Sequence, residues 1–339
     1  MKAAVVPAVG QRWELREVAT PRPGPGQVLV RVHACGVCHN DVWLSRGVLP
    51  FPPLDPVITG HEAVGEVVEA GPGVTARRPG DRVGVTWVQG TCGRCAYCRR
   101  GLPLTGQSGM NCAEPVMTGV TVPGGHAEYV VALVSGTVPL PDELDYETAA
   151  PLLCAGYTAW SALRASRAAP RERVAVLGLG GVGHLAVQYA RACGFETVAV
   201  TRSAEKQELA RKLGAALVVA DGTQLRESGG ADVLLVTGTS YAAAGEALAG
   251  VRPNGRVVLA GIDPQGAFTI GPRDMVWANR LQIVGSTHNG PQELHEALRM
   301  AAEGAVTPLV ETFDREQVAE AVDAVERNEV RFRAVVRYA

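Results

Sequence analysis

The chain has 339 residues, 47% hydrophobic and 19% charged, so it can bury sizeable cores and is not a disordered segment. Lys and Arg total 32 against 34 Asp and Glu, a formal net charge of −2, which gives no electrostatic reason to expect nucleic acid or an anionic membrane as partner. At roughly 150 residues per domain the length suggests two domains.

The opening segment, MKAAVVPAVGQRWELREV, reads as a first β-hairpin rather than an export signal. To about residue 148 the chain is β-rich. GQVLVRVHAC, GEVVEA, DRVGVTW and AEYVVAL are short β-branched runs, separated by PRPGPG, AGPGV and RRPGD. Strands this short predict an all-β, barrel-like domain. Near residue 150 the pattern changes. VAVLG (174–178) precedes a helix over 182–193, and TVAVT (197–201) precedes one over 203–213 that Gly214 stops. LVVA (217–220), VLLVT (233–237), VVLAG (257–261) and QIVG (282–285) follow. Near-continuous apolar strands alternating with helices predict an α/β domain, a parallel sheet covered on both faces. The tail, about 289–339, is expected to hold one helix, PQELHEALRMAAEG, and to end in the strand FRAVVRY.

The stretch Val174 to Ala190 has no charged residue, but with His184 and Gln188 it is too short and too polar to span a membrane. Without an export signal the expected location is cytoplasmic and reducing. The eight cysteines are then expected as metal ligands or free thiols rather than disulfides.

Gly178-Leu-Gly180-Gly181-Val182-Gly183 lies between the strand VAVLG and the helix after it. In that place the first glycine makes a tight turn, the second lets a pyrophosphate approach the backbone, and the third lets helix and strand pack closely. The motif predicts a dinucleotide with its phosphates at the helix N-terminus. Where a 2′-hydroxyl is bound, a carboxylate usually ends the second strand. Here Thr201, Arg202 and Ser203 stand there, with Lys206 one turn on, so a 2′-phosphate meets a guanidinium and hydroxyls. NADP(H) is therefore expected over NAD(H).

Cys92, Cys95 and Cys98 are followed by Cys112, and four thiolates can enclose one tetrahedral zinc with no site left for substrate. A second constellation, Cys38-His39-Asn40-Asp41 with Gly60-His61-Glu62 and the distant Cys154, offers two thiolates and an imidazole around an open position. That arrangement suits a catalytic zinc acting as a Lewis acid. Cys35 and Cys193 are read as packing residues. His39 and His184 are given no chemical role.

GVCHND, GHEAVGEVVEAG, CGRCAYC, APLLCAGYTAW and GLGGVGHLAVQYA match the signatures of one family in order. The chain resembles the zinc-dependent alcohol dehydrogenases of the medium-chain dehydrogenase/reductase superfamily, leaning towards the microbial tetrameric and cinnamyl-alcohol-type branches. The resemblance implies a GroES-like catalytic domain from residues 1–148 and 289–339, with a Rossmann domain, 149–288, inserted between them. It implies a site in the interdomain cleft and a homodimer or homotetramer. It places a catalytic zinc on Cys38, His61 and Cys154, with Glu62 as an alternative ligand and Asp41 orienting His61. It also implies Thr158 against the nicotinamide, Thr237 in the cofactor site, Arg333 reaching the cofactor phosphates, and Trp87, joined by Trp43, narrowing the pocket for a small-molecule substrate.

Three departures from the family pattern stand out. The last gap of the four-cysteine loop is thirteen residues, and the extra ones, about Leu104 to Met110, are expected as a surface lobe. Asn289-Gly290-Pro291 replaces a Gly-Thr-Arg segment, so one phosphate-facing guanidinium is missing. Asn40 stands where a relay Thr or Ser is usual, and an amide does not titrate. That last departure raises an alternative reaction, reduction of an iminium or an activated C=C bond.

Overall fold

A computed structural model describes residues 1–100 and 106–339 of the chain. Two compact units are present: Met1–Cys154 with His288–Ala302 and Pro308–Ala339, and Ala155–Thr287 with Glu303–Thr307. The first division falls at Cys154/Ala155, six residues past the change in pattern, because the helix Tyr146–Pro151 packs on the strands before it.

The first unit is built on a seven-stranded sheet. Its order is Val310–Asp314, Arg333–Arg337, Gln27–Val37, Ala63–Ala70, Arg82–Val85 and Thr137–Pro139, with Tyr129–Leu133 also paired to Gln27–Val37. Pairing is antiparallel except between Val310–Asp314 and Arg333–Arg337. The strands are rich in valine, whose branched side chains suit a pleated and half-buried surface. Val28, Val30, Val32, Val67, Val83, Val130 and Val336 meet in one core. The register shifts twice along Gln27–Val37, and such irregularities bend a strand enough to serve neighbours on both edges. Lys2–Val5 and Glu14–Glu17 form the antiparallel pair expected at the start.

The tail holds two helices where one was expected. Besides Pro291–Ala302, Val318–Glu326 buries Val318, Ala321, Val322 and Val325 on the first core. Its stripe recurs at helical spacing, but it is made of Val and Ala, which read weakly as a helix face. Arg46, ending the helix His39–Arg46, clamps Glu326 with two hydrogen bonds of 2.9 and 2.6 Å. Leu104 and Thr105 of the expected surface lobe lie outside the described residues. From Gly106 to Asn111 the chain forms a 3₁₀ segment.

The second unit is a six-stranded parallel sheet ordered Leu217–Val219, Glu196–Val200, Arg173–Leu177, Ala231–Val236, Val251–Leu259 and Gln282–Gly285. Counted along the chain this is 3-2-1-4-5-6, the doubly wound order of dinucleotide-binding sheets. Leu234 and Val236 on one strand, Val198 and Val200 on another, and Leu225 and Leu248 from flanking segments share its core. Cys193 is not a packing residue. The helix Gly183–Ala192 ends just before it, and it is an exposed C-cap.

Candidate active site

Sheet register assembles the first metal cluster. Cys35 lies opposite Ala63, and Val37 opposite Ala334. Cys38 and His61 with Glu62, just beyond these strand ends, and Arg333, the first residue of its strand, are thereby brought to one place. Cys154 arrives from another direction. It lies in a wide π-turn, Leu152–Gly156, between the helices Tyr146–Pro151 and Tyr157–Ala165. Pro151 has no N–H to give the ladder just before that turn.

The ligand atoms of Cys38, His61, Glu62 and Cys154 all lie within 4.8 Å of one another. Cys38 Sγ is 3.9 Å from Cys154 Sγ, and His61 Nε2 is 3.4 Å from Cys154 Sγ. A tetrahedral zinc with ordinary bond lengths separates two sulfurs by about 3.8 Å and a sulfur from a nitrogen by about 3.6 Å. The trio fits that ion. Glu62 is fully buried; Arg333 Nη2 donates to its Oε1, while its Oε2 has no hydrogen-bond partner among the described residues. Burial raises the Glu62 carboxyl to about 7, against the pull of Arg333.

Asp41 holds the site from behind. Its Oδ2 accepts the N–H of Cys38 and its Oδ1 that of Gly60, each at 2.9 Å. Its Oδ1 faces His61 Nδ1 at 3.6 Å. Burial disfavours its charge, yet the neighbouring His61 and the hydrogen bonds keep its carboxyl at about 2. In turn, burial of His61 is outweighed by Asp41, which lifts the imidazole well above its usual range.

Trp87 lies across the His61 ring, centroids 4.9 Å apart and 29° between planes. Trp43 is placed differently. It stands 5.9 Å from the ring of His39 on its own helix. Asn40 is buried in the first turn of that helix. Cys35 is fully buried in the sheet core, as a packing residue. His288 was missed: it is buried, its Nε2 is 3.2 Å from the carbonyl oxygen of Cys154, and burial lowers it to about 4. No local pattern marks a lone histidine in GSTHNG.

The second cluster gathers Cys92, Cys95, Cys98 and Cys112. Cys98 Sγ lies 4.0, 3.5 and 3.7 Å from the sulfurs of Cys92, Cys95 and Cys112. These spacings bracket the edge of a zinc tetrathiolate, about 3.8 Å. Backbone N–H groups of Cys98 and Ala113 draw the Cys95 thiol down to about 6. With four thiolates, the residues fit a closed structural site.

In the second unit the glycine turn follows Arg173–Leu177. Gly178 has φ +91°, a conformation few other residues tolerate. A Cβ on Gly183 would meet the Gly178 carbonyl oxygen at 1.9 Å, whereas one on Gly180 would meet nothing within 4 Å. The third glycine therefore packs and the second borders open space, as a pyrophosphate cradle requires. Thr237 Oγ1 lies 3.0 and 2.7 Å from the carbonyls of Leu177 and Gly178, tying the turn to the next strand. His184 Nδ1 donates to the Gly180 carbonyl at 2.9 Å. Thr158 is buried in the helix Tyr157–Ala165. Arg202 and Ser203 are exposed beyond Glu196–Val200, with Ser203 capping the helix Ala204–Lys212 through the Lys206 N–H.

Residues 24–142 match the model of the alcohol dehydrogenase GroES-like domain, and residues 181–303 that of the zinc-binding dehydrogenase family. An alcohol dehydrogenase of Geobacillus stearothermophilus is 42% identical over 343 residues, covering 99% of both chains. Among solved structures, acetophenone reductase of Geotrichum candidum in complex with NAD superposes with a TM-score of 0.86 at 28% identity, over 99% of this chain and 96% of that one. A thermostable alcohol dehydrogenase of Pyrobaculum aerophilum gives 0.87 at 28% identity, over 99% of both. Neither these similarities nor the geometry of the described residues favours the iminium or C=C alternative.

Proposed function

The chain belongs to the zinc-type medium-chain alcohol dehydrogenases, and from that premise we propose that it uses NADP(H) to interconvert an alcohol with its aldehyde or ketone. The observation that carries the reading is the trio Cys38, His61 and Cys154, spaced for one tetrahedral ion by two sulfurs and a nitrogen. Held by that trio, a zinc ion would supply Lewis acidity towards the substrate oxygen, and a bound nicotinamide would supply or accept the hydride.

The chain's own residues do the rest. Asp41 fixes the loops carrying Cys38 and His61 through their N–H groups and holds the imidazole for metal binding. Glu62, whose Oε2 has no hydrogen-bond partner among the described residues, would serve as an alternative ligand for that ion. Trp87 covers the His61 ring and gives the substrate an apolar wall that keeps water away. Asn40 can donate a hydrogen bond to a substrate oxygen but moves no proton.

For the cofactor, no carboxylate stands at 201–203, while Arg202 is exposed at the strand end beside the Thr201 and Ser203 hydroxyls. That favours a 2′-phosphate. A homo-oligomer is supported by the second unit. Its edge strand Gln282–Gly285 follows the exposed Met275, Val276 and Trp277, the last 75% exposed. Apolar side chains next to an edge left unpaired among the described residues suit a second copy of the chain.

The test is turnover of alcohols, aldehydes, ketones and imines with NADP(H) and NAD(H), with metal measured on the same sample. Carbonyl reduction with NADPH and two zinc ions per chain are expected. Full turnover by protein with no metal at the trio sinks the mechanism, and a preference for NADH sinks the cofactor assignment.

A further inference from the structure

His288 meets one ligand of the metal trio and the indole that covers another. Its Nε2 lies 3.2 Å from the carbonyl oxygen of Cys154. A carbonyl only accepts, so Nε2 carries the hydrogen and the tautomer is fixed. The same ring stands edge-on to Trp87, centroids 6.4 Å apart at 81°. Trp87 in turn lies on His61, and His61 Nε2 is 3.4 Å from Cys154 Sγ. One side chain therefore holds the backbone of one ligand and braces the indole that covers another.

Cys154 has a particular need of such a hold. It sits in the π-turn Leu152–Gly156, directly after Pro151. Wide turns of this kind are rare and less well bonded than the α-helix they interrupt, and they recur at functional sites. A donor on the Cys154 carbonyl fixes that peptide, and with it the direction of Cα–Cβ and the place of Sγ. An error of a few tenths of an ångström there strains a metal–sulfur bond.

We propose that His288 is a positioning residue: its Nε2–H locks the wide turn that presents Cys154 to the metal, and its ring edge sets how far Trp87 closes the substrate wall. This rests on the metal reading of the trio given above. The two contacts predict separable effects. Losing the donor loosens the metal. Losing the ring lets Trp87 shift and admits wider substrates.

His288→Phe keeps a ring without the donor, and His288→Gln keeps a donor reaching about as far as Nε2 without the ring. Three quantities are read: the rate of zinc loss to a chelator, the absorption bands of the cobalt-substituted protein, and kcat and KM for straight-chain and branched alcohols. The release phase missing from Cys154→Ser belongs to the trio. His288→Phe is expected to speed that phase about 10–100-fold and to shift the thiolate–cobalt bands, with little change in alcohol preference. His288→Gln is expected to keep release within about threefold of wild type, while kcat/KM for branched over straight-chain alcohols rises about tenfold. Should the Phe variant not fold, His288→Asn, too short to reach the carbonyl, takes its place and is expected to release metal fast. Equal release from all variants, or equal acceleration in Gln and in Phe or Asn, overturns the proposal. A wild type lacking the Cys154-dependent phase sinks the metal reading, and the proposal with it.

Discussion

Asp41→Asn tests the clamp behind the trio. The carboxylate is fully buried and uses a different oxygen for each backbone donor, Oδ2 for Cys38 and Oδ1 for Gly60, both at 2.9 Å. Asparagine brings one oxygen, so one of those N–H groups must face an amide NH₂ where water cannot substitute. An orphaned buried donor costs about 1–3 kcal/mol, and losing the charge from the surviving bond costs about 1 kcal/mol more. The sum, about 2–4 kcal/mol, lowers Tm by roughly 4–16 °C for a unit of about 200 residues. Thermal unfolding of the zinc-loaded protein, followed by circular dichroism at pH 7, reads this directly. The pH dependence of the metal-free protein gives an independent check. In the folded chain the Asp41 carboxyl lies at about 2, below its ordinary 3.8. Its charge therefore stabilises fully above about pH 4, and that stability is lost as pH falls through 2. The gap between variant and wild type should narrow across that window. A variant melting within about 1 °C of wild type at pH 7, or a gap unchanged down to pH 2, refutes the clamp.

Three further outcomes are expected. Cys112→Ser should cost one zinc ion per chain by native mass spectrometry and leave the trio's metal in place; loss of both ions would mean the clusters are not independent. Arg202→Asp should lower kcat/KM for NADPH by about 10–100-fold, the worth of a charge-assisted contact to a 2′-phosphate, and leave NADH unharmed; an equal fall for both cofactors counts against a phosphate contact. Trp87→Ala should raise kcat/KM for branched or aromatic alcohols about tenfold relative to ethanol, and Trp87→Phe should change the ratio little; an unchanged ratio in the Ala variant means the indole does not line the substrate wall.

The sequence was most legible where chemistry demands a spacing. Cys92, Cys95 and Cys98 lie close along one loop, so their meeting needs little folding, and the structure closes the set with Cys112. Cys38, His61 and Cys154 are far apart and were recognisable through their surroundings, GVCHND, GHEAVGE and APLLCAGYTAW. What brings Cys38 to His61 is sheet register, Cys35 opposite Ala63, which no local pattern reveals, and Cys154 reaches them from the wide turn Leu152–Gly156. The π-turn was hidden because LLCAG reads as ordinary apolar helix. His288 was hidden because its partners, Cys154 and Trp87, lie 134 and 201 positions away in the chain. The helix Val318–Glu326 could have been found: Val318, Ala321, Val322 and Val325 recur at i, i+3, i+4 and i+7, although valine pulls the reading towards strand.

The charges of the cluster explain why these residues belong to a cation. Cys38, Cys154, Glu62 and Asp41 place four groups able to carry negative charge in a buried space, against the single guanidinium of Arg333. Burial makes that excess costly, so the chain takes up protons wherever it can. Glu62 rises to about 7 through burial, and the hydrogen bond that Cys154 gives to Cys38, together with burial, raises Cys154. His61 is pushed up as well, although burial opposes its charge, because Asp41 stands beside it. Each shift keeps a proton where a dication would do the same work better. Binding the ion must then expel protons, and affinity must weaken as the pH drops. Two groups keep their charge: the hydrogen bond from Cys154 holds the Cys38 thiol well below its usual range, and Asp41 stays ionised because its partners are two backbone N–H groups and the ligand imidazole, none of which leaves when the metal does.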